Sequence, residues 1–319
     1  MARYISLRVL YFIPTVVVAL FIVFTLAKLA PGDPVTLLLA KMSAGGNGIS
    51  AQQRDSMVAA YGLNKPFLVQ FGDYVVHVFT FDFGRSIATN RPINDLFARA
   101  LPISLQLGGA ALFLLIFIGI PLGTLAAVKS QTWIDHLIVG VSIVLRAIPV
   151  FVLGPILLAV LVLWLHVTNV PHGFQGLFLP QTILPVFLLA APAMSLVIQE
   201  TRAGVLDVLH NDYVRTAQAK GVPPLKLIVR HVLRNALIPV VTSLGVLLAY
   251  MVTSTVFIDR MFSIPGFGST YWNAIPTLDY PVLLAATAFV TVAIAASNLL
   301  VDVLYGFLDP RIRFTSRNR

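Results

Sequence analysis

Few side chains in this 319-residue sequence are of a type and spacing that could do chemistry. Asp82-Phe83-Gly84 spells a kinase metal-binding tripeptide, but no glycine-rich phosphate loop or His-Arg-Asp loop accompanies it. The pattern G-x-x-x-x-G-K-[ST] is absent, and the dipeptide Gly-Lys never occurs. ATP bound by this chain is therefore not an expected source of energy. The six histidines are scattered. His166 and His172 could approach a metal, but neither has a carboxylate or thiolate close in sequence, which favours interfacial or solvated roles. No Ser/His or paired-Asp constellation lies within an apolar stretch. An enzyme is not expected.

The elements that carry these residues are apolar. Hydrophobic residues make up 58% of the chain, charged residues only 11%, and the mean hydropathy is +0.88. A typical soluble domain carries about 25% charged residues. Such a chain cannot cover a water-soluble fold of this size with polar surface, so an all-α integral membrane protein is expected. Zero cysteines exclude disulfides, iron–sulfur clusters and thiolate zinc.

A helix needs about 20 apolar residues to cross the hydrocarbon. Six stretches qualify: Val9–Ala30, Ile103–Val128, Leu137–Val167, Ile183–Gln199, Ala236–Ile258 and Val282–Leu308. The first follows Arg3 and Arg8, is too long for a signal core and lacks a small-x-small cleavage site, so it reads as an uncleaved span. Pro149 and Pro155 in the third predict a tilt or kink, and Pro185 and Pro192 punctuate the fourth.

Thirteen Lys and Arg fall in the N-tail, the 129–136 and 201–235 loops and the C-tail, against one, Arg260, in the opposite short loops. Both termini and the 201–235 loop are therefore expected in the cytoplasm. The chain divides into a tail with the first span (1–30), an extracytoplasmic region (31–99), a membrane-embedded core (100–308) and a cytoplasmic tail (309–319). The net charge of +9 follows from this topology.

The external region opens on the turn Pro31-Gly32-Asp33-Pro34, followed by the flexible Gly45-Gly46-Asn47-Gly48. Ser50 can cap a short helix through Tyr61 that stops at Gly62, and a second helix is predicted from Pro66 to about Phe79. Charges inside spans are functional candidates. Arg146 and Asp302 sit at similar depth, roughly 10–14 Å from the cytoplasmic ends of their helices at about 1.5 Å per residue. They could form a buried pair, or each could snorkel or meet a partner subunit.

The most informative segment is 201–235. It reads as one helix from Thr201 that carries Asp212, Tyr213, Arg215, Thr216, Ala217, Ala219 and Lys220 and stops at Gly221, a turn at Gly221-Val222-Pro223-Pro224, then a second amphipathic helix into the next span. Ala217, Ala219 and Gly221 suggest a small-residue face set close against another surface. A rigid helix–turn–helix of this kind looks like a docking element rather than a simple connector.

This loop resembles the coupling, or EAA, loop of permease subunits in binding-protein-dependent ABC importers, in the dipeptide/oligopeptide/nickel branch. The general pattern is Glu-Ala-Ala, three residues, Gly, nine residues, Ile-x-Leu-Pro. Ala217, Gly221 and Leu233 keep it, while Arg215, Thr216, His231 and Arg234 replace the Glu, the first Ala, the Ile and the Pro, as is usual in that branch. Further similar motifs run along the chain: Tyr61-Gly62-Leu63-Asn64-Lys65-Pro66, Asp82-Phe83-Gly84-Arg85-Ser86, Pro265-Gly266-Phe267-Gly268, Asp279-Tyr280-Pro281 and Leu308-Asp309-Pro310-Arg311-Ile312-Arg313. Arg146, where the branch has a small residue, and the 168–180 loop depart from it.

The resemblance implies the type I importer permease fold with six transmembrane helices, in a bacterial or archaeal cytoplasmic membrane. It also implies a second homologous permease, two ATPase subunits holding ATP and Mg, and an extracytoplasmic binding protein. This chain would supply the path and bind no cofactor. Residues Asp212, Tyr213, Arg215, Thr216, Ala217, Ala219, Lys220, Gly221, Val222 and Pro223 would couple to the ATPases. The cargo would be di- or oligopeptides, with nickel or another small solute as the alternative. An ion-driven secondary transporter is the competing class, but the inverted repeats and midplane ionisable sites frequent there are not found.

Overall fold

The structure is a computed structural model that describes residues 2–29, 51–60, 62, 64–167, 169–253 and 255–308. The turn at 31–34, the glycine stretch 45–48, Ser50 and the tail 309–319 lie outside the described residues. The described chain is helical, with one isolated bridge between Arg85 and Pro92.

In chain order the helices are α1 (Ala2–Leu29), α2 (Ala51–Ala60), α3 (Phe67–Thr80), α4 (Ile93–Val128), α5 (Trp133–Ala147), α6 (Val150–Trp164) and α7 (Pro180–Leu209). They continue with α8 (Asp212–Ala219), α9 (Pro224–Ala236), α10 (Ile238–Thr253), α11 (Val256–Met261), α12 (Phe267–Thr277) and α13 (Tyr280–Leu308). Among the described residues, four helices are long and apolar enough to cross a membrane, or six if two bent pairs each count as one span. The expected all-α membrane architecture stands.

The boundaries differ from the sequence expectation where structure overrides pattern. The third span is two helices: α5 and α6 meet at 107°. Pro149 holds the preceding Ile148 in an extended conformation (φ −88°, ψ 118°), out of the helical region, and the axis turns there. The fourth span does not stop at Gln199; α7 continues to Leu209, so its last third belongs to the segment read from sequence as a loop. The second begins at Ile93 rather than Ile103. The fifth is the continuation of α9 through a 60° bend, and α10 ends at Thr253.

The centre of the fold is α7, 72% of whose most apolar window is buried. Leu188, Ala190, Ala191 and Val197 are wholly enclosed, and they pack with Leu107, Ala111 and Leu115 of α4 and Met251 of α10. Lipid gives helices no hydrophobic reason to associate, so close backbone approach must supply the contact. Gly123 supplies it on α4: a Cβ there would stand 2.6 Å from the Ile198 carbonyl oxygen and 2.7 Å from the Thr201 side chain. Just upstream, α4 widens into a π turn at Leu115–Gly119, directly before Pro121. A tighter turn would press the proline ring on the carbonyl four residues back.

The peripheral helix α1 lies along α13. Lys28 sits over the rings of Phe24 (5.8 Å) and Tyr280 (5.9 Å) near one end. Near the other, Arg8 pairs with Asp302 at 2.8 Å. This corrects the expected Arg146–Asp302 pair. The depth estimate assumed straight helices, whereas Arg146 stands at the α5–α6 bend and is exposed.

The segment after α10 builds a compact cap. Asp279 accepts hydrogen bonds from the Ser86 hydroxyl and from the backbone N–H groups of Ile87 (3.1 Å) and Ala88 (3.3 Å), anchoring the stretch before α4 to the start of α13. Asp259 on α11, beyond the end of the fifth span, is fully buried and accepts the Ser269 N–H at 3.3 Å. Its Oδ1 has no partner, and burial pushes its carboxyl up to about 7. A raised acid favours the proton in the folded state. Its contribution to stability is thus complete below the ordinary value of 3.8 and is lost as pH rises through about 7. The purified protein should unfold at a higher temperature at pH 5 than at pH 8, and Asp259→Asn should flatten that difference. An unchanged difference in the variant would place the titration elsewhere.

Candidate functional site

The candidate site is the hairpin at the end of α7. At His210 the long helix stops, and Asn211 in an extended conformation starts α8. The far end of α8 closes in a Schellman motif: Val222 N–H donates to the Ala217 carbonyl (3.2 Å) and Gly221 N–H to the Gln218 carbonyl (2.9 Å). Gly221 takes φ +75°, in the left-handed region that costs other residues about 1 kcal/mol or more. Pro223 and Pro224 then launch α9, with Pro224 in its first turn, where a missing N–H is harmless. The turn is as read from sequence.

One small apolar cluster welds the hairpin to the body. Val214 and Ala217 of α8 and Leu227, Val232 and Ala236 of α9 pack with Val205 and Val208 of α7 and Ala127 at the end of α4. Asn235 donates to the Tyr213 hydroxyl at 2.8 Å, which pins the two hairpin helices side by side.

The predicted small-residue face does not exist as such. Ala217 is buried beneath the hairpin, whereas Ala219 and Gly221 are exposed, and a Cβ on Gly221 would meet nothing within 4 Å. Ala217 and Ala219, two residues apart, point to opposite sides of α8, and Gly221 lies in the turn beyond the helix, so the three do not share one side. The outward surface is instead Asp212, Tyr213, Arg215, Thr216, Ala219, Lys220 and Pro223, with Val222 half-buried.

Sequence reasoning missed two features. Leu225 and Val229 on α9 are 77% and 58% exposed, an apolar pair one turn apart on a polar hairpin. Their spacing, four residues apart in a helix, was the available signal. The second is an ion pair. Arg202 on α7 grips Asp135 at the start of α5 with two parallel bonds of 2.7 Å, and Gln131 N–H donates to the same carboxylate at 2.9 Å. Asp135 is buried, so the turn between α4 and α5 is fixed to the last third of α7. No group of three or more His, Cys, Asp or Glu able to hold a metal occurs among the described residues.

Residues 119–314 match the family described as binding-protein-dependent transport system inner membrane component. The chain belongs to this family. As an inner membrane transport component it is similar along almost its whole length to several permeases. The dipeptide transport system permease protein DppB of Bacillus subtilis is 34% identical over 314 residues, covering 98% of each chain. The oligopeptide transport system permease protein OppB of Escherichia coli K12 is 33% identical over 315 residues, covering 98% of this chain and 100% of the relative. AppB of B. subtilis, an oligopeptide transport system permease protein, is 35% identical over 322 residues, with coverage of 98% and 100%. The inward-facing MetNI methionine ABC transporter shares the fold, with a TM-score of 0.52 at 17% identity over 66% of this chain and 96% of that one.

For this permease the Asp135–Arg202 pair makes a direct prediction. Asp135→Asn or Arg202→Met alone leaves a charge without its partner, costing roughly 3 kcal/mol because Arg202 remains partly exposed. Asp135→Asn with Arg202→Met should cost less than the two single losses together. Thermal unfolding of the purified protein measures all of these, and strictly additive losses would show that the two side chains act separately.

Proposed function

We propose that this chain is one of two permeases forming the translocation path of a peptide importer, and that the hairpin α8–α9 is its coupling element. Peptide cargo is inferred from relatives named for dipeptide and oligopeptide transport that align end to end with this chain. In this reading both termini and the hairpin face the cytoplasm, two partner ATPases dock there with ATP and Mg, and a binding protein delivers cargo on the other side. The chain itself catalyses nothing.

One observation carries the coupling role. The hairpin is rigid inward and unsatisfied outward. Its inner side is fused to α7 and α4 through the Val205/Val214/Ala217 cluster, while its outer side presents Leu225, Val229 and Tyr213 to water. Exposed apolar residues on an otherwise polar element mark a protein contact. A partner that pushes on this face moves α7, and with it the core.

Two outcomes are expected. Purified alone, the chain hydrolyses no ATP above background; turnover in a clean preparation would refute the division of labour. Gly221→Val forces a β-branched residue into a left-handed conformation. With open space around that Cβ, the damage is to the Schellman turn and not to the core. The variant should insert normally yet lose most ATPase co-purification and most peptide uptake in reconstituted vesicles, whereas Lys220→Ala should stay near the parental rate. Normal ATPase binding and uptake by Gly221→Val would remove the hairpin from the mechanism.

A further inference from the structure

The seam between α1 and α13 is closed near its ends and open between them. Next to the Arg8–Asp302 pair lies a groove of about 360 Å³, walled by Phe12 and Ala19 of α1 and by Ile294 and Leu299 of α13. The ion pair stands at its mouth with side chains 45% and 35% exposed, flanked by Tyr11. Deeper, one turn along α13 from Asp302, is Asn298, about 6 Å further into the membrane.

Asn298 is the unusual member. Its neighbours Thr15 and Thr291 satisfy their hydroxyls on their own helices, at Tyr11 O (2.8 Å) and Thr287 O (2.8 Å). The Asn298 amide is exposed in a membrane-spanning helix and makes no hydrogen bond to the described residues. A carboxamide left without a partner in hydrocarbon is unfavourable, because no water is there to replace the missing bond. It needs a polar group from beyond the described residues.

We infer that this groove holds one glycerophospholipid with a primary-ammonium, zwitterionic headgroup. The occupant follows from depth and charge together. An apolar trough between membrane helices takes an acyl chain. Asn298, below the ion pair, lies where a glycerol ester carbonyl can accept its N–H. At the mouth, Arg8 donates to the phosphate and Asp302 accepts from the ammonium, so a cation and an anion side by side meet an anion and a cation. A purely anionic headgroup sets its charge against Asp302. A choline headgroup carries no N–H for that carboxylate. Of the three headgroup types, only the primary ammonium satisfies both partners.

The test uses the full chain, purified in mild detergent in the complex it forms in its membrane. It is challenged with equal amounts of phosphatidylethanolamine, phosphatidylcholine and phosphatidylglycerol of identical acyl chains. Native mass spectrometry counts the lipid retained. The ethanolamine lipid should be enriched about fivefold over each of the others, the worth of one net hydrogen bond. Arg8→Gln with Asp302→Asn, which removes both charges and strands neither, should abolish the preference. Asn298→Leu leaves the ion pair intact and should lower retention of all three lipids by a similar factor. Equal retention in the parent, or an unchanged preference in the double variant, overturns the assignment. Because the chain has no cysteine, Asn298→Cys can carry a single photoreactive label. Cross-linking to lipid is expected, and cross-linking to protein alone, whether a partner permease or this chain's own tail, would show that the groove is a protein interface.

Discussion

In hydrocarbon a backbone polar group has no water to fall back on, so each unpaired one costs several kcal/mol. This chain nevertheless carries prolines in or beside most of its long helices. The fold is largely an answer to that conflict. Pro185 and Pro192 lie in α7, where neighbouring helices rather than lipid surround the freed carbonyls. Pro121 follows a π turn that makes room for its ring. Pro149 is not accommodated within a helix at all: the axis turns by 107° and the proline becomes the cap of α6. Prolines thus fall in both places: Pro185 is buried and Pro192 half-buried in the centre, while Pro121 and Pro149 stand exposed.

From this constraint follows the division between a packed body and an accessory edge. The hairpin cluster gathers the ends of α4, α7, α8 and α9 into one packed unit. The Asp135–Arg202 pair adds the start of α5 to the same unit. Displacing the hairpin thus displaces helices that together line the core, without a flexible joint between. By contrast, α1 rests mainly on α13 and α3, with its ring contacts from Phe21 and Phe24 to Phe67 and Phe71. The family match begins only at Gly119, well after α1 and α3. The matched residues include the end of α4 and all of α5, α7, α8 and α9.

What could be read in the sequence was whatever is decided locally. Gly221-Val222-Pro223-Pro224 specifies its turn because left-handed φ and an N-terminal proline each admit few residues, and Pro66 starts α3 for the same reason. Six apolar stretches announce themselves by length alone. Illegible were the features set by distance in space. Arg146 and Asp302 matched in depth along imagined straight rods, but one bend separated them, and Arg8, some 290 residues away in sequence, took the carboxylate. Asp135 and Arg202 were each unremarkable in loops that pattern placed outside the membrane. Ala217 looked like its neighbour Ala219 until the hairpin folded one inward and the other out.

The charges that remain show one further regularity. Each ion pair among the described long helices, Arg8–Asp302 and Asp135–Arg202, sits near a helix end and joins two elements that no turn connects. A charge there keeps partial access to water, which limits the desolvation cost that a midplane pair would carry. It also fixes the lateral register of helices whose apolar faces would otherwise slide freely past one another. The two pairs differ in what surrounds them. Asp135 is buried against protein, so its pair acts inward, on the body beneath the hairpin. The Arg8–Asp302 pair is partly exposed, so it faces outward. The same chemical device thus serves as an internal strut in one place and as a membrane contact in the other, and burial alone decides which.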